Sequence, residues 1–124
     1  MRRFTLGQPI PDPSDHPIFD GRVHMREHVG EQEGALYHVS EVAFQAGGRT
    51  RWHSHDRDQL LFVIAGDGII ASEDERFEVG PGEVVLVPAG TLHWHGPQPG
   101  RRFTQISVIT DGLDAIGPPV TGES

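Results

Sequence analysis

The stretch Gly47-Gly48-Arg49-Thr50-Arg51-Trp52-His53-Ser54-His55-Asp56-Arg57-Asp58-Gln59 decides the fold, together with Gly82-Glu83-Val84-Val85-Leu86-Val87-Pro88-Ala89-Gly90-Thr91-Leu92-His93. As spacings these read Gly47-x5-His53-x-His55-x3-Gln59-x6-Gly66 and Gly82-x5-Pro88-x-Gly90-x2-His93. Side chains alternate across a strand, so His53 and His55 point the same way. Gln59 has the same parity and opens the apolar run 60–65. His93 must arrive from a second strand, after a turn at Pro88-Ala89-Gly90. Neutral imidazole is the commonest metal ligand and suits Zn, Cu, Fe and Ni. His53, His55, Gln59 and His93 therefore form one candidate metal site inside a small barrel. A lone His-x-His reads equally well as two exposed strand-end histidines; the glycine framework on both sides favours the metal.

Outward from this centre the pattern stays β. Residues 22–29 alternate, with Val23, Met25 and Val29 on one face and His24, Arg26 and His28 on the other, read as facing solvent. After a loop at Glu31-Gln32-Glu33-Gly34, residues 36–44 place His38, Ser40, Val42 and Phe44 on one face, where His38 is a minor candidate for the pocket wall. Residues 60–65 and 84–87 are apolar on both faces, as in strands covered on both sides. Leu61, Val63 and Ala65 are expected to face the cavity, and Leu60, Phe62 and Ile64 to face outward. Trp52 and Trp94 have the opposite parity to the ligands, so they pack outside the cavity. Residues 102–110 close the barrel, with Gln105, Ser107 and Ile109 on one face. No run has the period of a ten-residue helix. The expected organisation is an extended proline-rich arm at 1–17, lying on a partner subunit or disordered, an all-β barrel or jelly roll at 18–110, and a loose tail at 111–124.

Composition narrows the chemistry. At 124 residues the chain makes one domain. Cysteine is absent, which excludes disulfides, thiolate ligands and a cysteine nucleophile. Lysine is absent too, all ten basic residues being arginine, which excludes Schiff-base chemistry. The net charge of −8 disfavours nucleic acid and anionic membrane as partners. Nothing at the start resembles a signal peptide and no apolar run is long enough to span a bilayer, so a cytoplasmic location is expected.

The two segments resemble the two motifs of the cupin superfamily, which usually run G-x5-H-x-H-x3,4-E-x6-G and G-x5-P-x-G-x2-H-x3-N. Gln59 stands where glutamate is usual and Pro97 where asparagine is usual. With Trp52-His53-Ser54-His55 and His93-Trp94-His95-Gly96, the chain is similar to small bacterial cupins associated with carboxymuconolactone decarboxylases and to manganese-dependent hydroxynitrile lyases. The motifs cover residues 47–95, and similarity of strand pattern extends over 18–110. The resemblance implies a cupin barrel, a divalent metal and cleavage of a cyanohydrin. Where the lyases commonly read Thr-His-Ile in the last strand, this chain has Thr104-Gln105-Ile106.

Three imidazoles and an amide oxygen leave a divalent ion with its full charge. That makes it a stronger Lewis acid than a glutamate site and favours an anionic ligand or hydroxide. Mn, Fe, Co, Ni and Zn all suit the set, and the amide oxygen favours an ion with open coordination positions over closed tetrahedral zinc. His95 shares the inward face with His93 and is the candidate catalytic residue, a base poised near neutral pH or a group that orients a ligand. Arg49 and Arg51 are candidates to meet an anion at the mouth, or simply exposed. The expected function is a metal-dependent lyase acting on a small carbonyl or hydroxy compound, with a metal-dependent oxygenase or a non-catalytic small-molecule binder as alternatives. The absence of an attached DNA-binding segment argues against a transcription regulator. The two-faced apolarity of 60–65 predicts a homodimer.

Overall fold

Short β-branched runs between glycine corners leave no room for helix, and among the described residues there is none. The computed structural model describes residues 1–30 and 34–122; the loop expected at Glu31-Gln32-Glu33-Gly34 lies outside them except for Gly34. The strands are β1 (Phe19–Asp20), β2 (Val23–Val29), β3 (Tyr37–Phe44), β4 (Arg49–Thr50), β5 (His53–His55), β6 (Gln59–Gly66), β7 (Gly68–Ser72), β8 (Arg76–Val79), β9 (Val84–Val87), β10 (His93–Pro97), β11 (Phe103–Thr110) and β12 (Asp114–Ile116). They form two antiparallel five-stranded sheets, β2-β3-β11-β6-β9 and β12-β5-β10-β7-β8, with β1 paired to β4 at the rim. This is an all-β jelly-roll barrel. No helix among the described residues is long and apolar enough to cross a membrane.

Inward residues of both sheets meet in one core: Val23, Val42, Phe44, Leu61, Val63, Ile70, Val79, Val87 and Phe103. Phe44 and Phe103 stack at 5.6 Å at its centre. Gly66 makes the sharp exit from β6: its φ is +78°, and a Cβ there would lie 2.0 Å from the Arg102 carbonyl oxygen. Only glycine combines that conformation with that approach.

Several expectations change. In β6 the alternation breaks, because Thr104 pairs with Ala65 but Gln105 pairs with Val63, which leaves Ile64 as an extra residue. This β-bulge turns Ala65 outward, whereas Leu61 and Val63 face the core as expected. β9 is not covered on both sides: Val84 is 51% and Leu86 56% exposed, because β9 is an edge strand with its outer face open. His24 and His28, expected in solvent, are buried. The reason is the N-terminal arm, which lies along the chain's own β2–β3 face. Ser14 N–H donates to the Val23 carbonyl, Gly7 N–H donates to Glu41 Oε2 at 2.9 Å, and Phe4 stacks on His28 at 4.8 Å. The tail is not loose either. Residues 114–116 pair with β5, and Val120 packs with Trp94, Ile69 and Ala71 on the outer face of the second sheet.

Candidate metal centre

The site sits where the two sheets face each other at one end of the barrel. The short β5 presents His53 and His55 inward with Ser54 between them, and β10 presents His93 and His95 inward. His93 is the cross-strand partner of His53, and their rings lie 4.2 Å apart. Gly90 sets up the approach of β10: it turns at φ +80°, and its N–H donates to the His55 carbonyl at 2.7 Å. From the opposite sheet, β6 contributes Gln59 and β11 contributes Gln105 and Ser107. Trp94 points outward with Trp52 into the second apolar cluster, as parity predicts.

Each imidazole of the triad is held through Nδ1. His53 Nδ1 meets the Arg51 carbonyl at 2.7 Å, His93 Nδ1 the Thr91 carbonyl at 2.9 Å, and His55 Nδ1 an Asp114 carboxylate oxygen at 2.8 Å. All three partners are acceptors, so each Nδ1 carries the proton and each Nε2 keeps its lone pair. The ligand atoms of His53, His55 and His93 lie within 4.8 Å of one another. His53 Nε2 and His55 Nε2 are buried with no protein partner. Gln59 donates its amide N–H to Ser107 Oγ at 2.9 Å, which turns its oxygen to within 3.3 Å of His93 Nε2. Orphaned, buried and convergent lone pairs fit a divalent cation.

Burial, followed by the charge His93 would carry, lowers the His53 pKa to about 3; burial lowers that of His93 to about 4. Both rings are therefore neutral at physiological pH and can bind an ion without releasing a proton. Burial also holds His95 well below its ordinary value, with His53, His93 and His55 adding to the effect. The expectation of a base poised near neutral pH thus gives way to a neutral imidazole with one donor and one acceptor, both without a partner. Gln105 faces it, completely buried, with its amide oxygen and nitrogen also unpartnered. The cavity measures about 160 Å³ and is lined by His53, His55, Gln59, His95, Gln105 and Asp114 among others.

Residues 40–101 match the family described as Cupin domain. The chain is 35% identical over 91 residues to an (R)-mandelonitrile lyase of Granulicella tundricola, a match covering 73% of this chain and 70% of that protein. The chain belongs to the cupin family. A cupin-like protein from Thermotoga maritima superposes with a TM-score of 0.83 at 30% identity, over 90% of this chain and 87% of that one. An acireductone dioxygenase of Exiguobacterium sibiricum is 33% identical over 67 residues, but this cupin spans only 37% of that enzyme's length.

Sequence reasoning missed part of this cupin's site. Asp114 lies in the segment expected to be loose, and nothing in Asp114-Ala115-Ile116 marks a strand beyond one β-branched residue. His38, the minor candidate for the pocket, instead pairs with Glu27 at 2.6 Å and with Asp111, and these contacts, Glu27 first, raise its pKa. Arg49 and Arg51 do not wait at the mouth for an anion: Arg49 donates to the Val120 carbonyl and Arg51 to the Gly117 carbonyl, both in the tail.

Proposed function

We propose that this cupin is a metal-dependent lyase acting on a small hydroxy or carbonyl compound. The observation that carries the reading is the pair of buried polar side chains, His95 and Gln105, which face each other and the cavity beside the convergent imidazoles without a well-formed hydrogen bond. Polar groups left unpaired in a dry wall cost stability unless a ligand satisfies them. The likeness to an (R)-mandelonitrile lyase supports a cyanohydrin-like substrate. The cavity, about 160 Å³ and open to solvent on one side, suits a small molecule.

His53, His55 and His93, with the amide oxygen of Gln59, would hold the ion. When bound, it supplies Lewis-acid polarisation of the substrate oxygen. The chain's own residues do the rest. His95 accepts the substrate hydroxyl hydrogen at one ring nitrogen and donates from the other. Gln105 offers an amide N–H to a nitrile or carbonyl group. Ile18, Phe19, Met25 and Val42 form the apolar wall that excludes water.

The test loads the purified protein separately with Mn, Fe, Co, Ni and Zn and supplies racemic mandelonitrile. Benzaldehyde release that needs metal and is lost in His95→Ala is the expected result. A protein that binds metal yet releases nothing refutes the lyase reading. Oxygen uptake with an ene-diol would instead identify the oxygenase that the acireductone dioxygenase likeness suggests. The same reading has the barrel working as a homodimer through the outer face of β6 and β9. There Leu60 neighbours Leu86 and Phe62 neighbours Val84, all four exposed. Light scattering at micromolar concentration should give twice the chain mass.

A further inference from the structure

Two of the three triad histidines are oriented locally, each by a carbonyl two residues upstream in its own strand or turn. His55 is different. Its Nδ1 partner is the carboxylate of Asp114, 59 positions away, on a strand that pairs with β5 so that Asp114 lies opposite His55 and Ile116 opposite His53. The carboxylate is itself fixed: Arg57 Nη1 donates to the same oxygen at 2.7 Å. That guanidinium also donates from Nε to the Thr110 carbonyl at 2.6 Å and from Nη1 to the Leu113 carbonyl at 3.0 Å. Asp56 and Leu113 exchange two hydrogen bonds. Gly112 lies so close that a Cβ on it would be 2.3 Å from Asp56 Oδ1.

Beyond Asp114 the pinning continues along the ligand strand. Gly117 N–H donates to the Trp52 carbonyl at 2.7 Å, and Trp52 N–H donates to the Pro118 carbonyl at 3.0 Å. Arg49, in β4, and Arg51, between β4 and β5, hold Val120 and Gly117 respectively. Among the described residues, the hydrogen bonds that hold 112–120 to the rest of the chain thus fall on residues 49–57, the segment that carries His53 and His55, while Val120 also packs on Ile69, Ala71 and Trp94.

We propose that Asp114 is a positioning residue of the metal centre, and that docking of β12 and metal binding are coupled through His55. The proposal rests on the metal reading above. A carboxylate on the far nitrogen of a ligating imidazole fixes its tautomer and ring orientation and makes it a stronger donor. Its negative charge, partly offset by the Arg57 guanidinium on the same oxygen, would reach the neutral set of three imidazoles and Gln59 through the ring of His55. Coupling is reciprocal: if the docked tail tightens metal, metal must tighten the tail by the same factor.

The experiment measures Mn(II) and Co(II) affinity by chelator competition in the full chain, in Asp114→Asn and in Asp114→Ala, with hydrogen exchange of segment 113–120 followed with and without metal. Outer partners of metal-bound histidines are worth roughly 10- to 100-fold in affinity. Asp114→Asn, which keeps the shape and an acceptor oxygen but loses the charge, should weaken binding about tenfold, and Asp114→Ala more. Metal should slow exchange across 113–120 in the parent and much less in either variant. The visible spectrum of the Co(II) form should shift in Asp114→Asn, a readout that a merely structural role would not move. Affinities within twofold of the parent, or a tail whose exchange ignores metal, overturn the proposal and leave the metal site standing. So does an equal loss of melting temperature with and without metal at unchanged affinity. A parent chain that binds neither ion overturns the metal reading and this proposal with it.

Discussion

Two buried histidines, each on a carboxylate, lie on opposite sides of this barrel wall and do different work; Glu41 is buried with His28, whereas Asp114 is exposed. On the outer face, His28 meets Glu41 at 2.7 Å through Nε2, the nitrogen farther from its backbone. Inside, His55 meets Asp114 at 2.8 Å through Nδ1. The first carboxylate occupies the reaching end of the ring, so His28 has nothing left to project, and the pair serves to seat the N-terminal arm. The second occupies the near end and leaves Nε2 aimed into the cavity without a partner. Burial and a neighbouring acid are common to both. Which nitrogen is taken separates a pin from a candidate ligand.

The strongest way to break this comparison is to remove one ring of the triad. His93→Ala should lower metal affinity by more than the roughly 100-fold that an outer partner can cost, while His28→Ala leaves it unchanged. Equal effects by metal titration would erase the distinction. Next in size is the converse on stability. Glu41→Ala strands His28 in a buried site and frees the Gly7 amide; leaving a buried polar group without its partner costs roughly 1–3 kcal/mol. Urea unfolding should show that loss with metal binding of the folded protein intact.

A third prediction concerns acid. His53 and His93 have folded pKa values of about 3 and about 4 against 6.5 when unfolded. Below pH 6.5 the unfolded chain takes up protons that the metal-free native state refuses, so stability is present at neutral pH and lost on acidification. These two groups give a slope of about 2.5 kcal/mol per pH unit near pH 5, and His95, also held well below its ordinary value, adds to it in the same direction. His38, with its pKa raised, pulls the opposite way, but from an exposed position. Unfolding of metal-free protein at a series of pH values checks the sign, and a flat profile contradicts it. The smallest effect is expected at Gln59. Gln59→Glu adds a carboxylate where the amide oxygen lies 3.3 Å from His93 Nε2, and should tighten metal several-fold while weakening azide and cyanide. Unchanged metal and anion affinities would reduce Gln59 to a lining residue.

The barrel and the convergence of His53, His55 and His93 were legible because both depend on local rules. Strand alternation puts His53 and His55 on one face, and Gly90 fixes the turn that brings in β10. What was not legible depends on who covers whom. His24 and His28 alternate like solvent-facing residues, and only the arm's path buries them. Asp114 carries no periodic signal; it matters because β5 happens to have a free edge where it lands. Gln105 was visible as an inward residue, but that it lacks a partner follows only from the packing around it.

The extra residue at Ile64 shifts the phase of β6 by half a period. Before it, alternate positions address the interior; after it, the same parity addresses the exterior. One strand thereby serves two surfaces with independent alphabets: Gln59, Leu61 and Val63 are constrained by the cavity and core, whereas Ala65 answers to the groove that the N-terminal arm makes with the outer sheet, alongside Ala43 and Thr104. Deleting Ile64 would make the ladder regular, with Ala65 still opposite Thr104 and Gly66 still opposite Phe103, and would remove the break in parity.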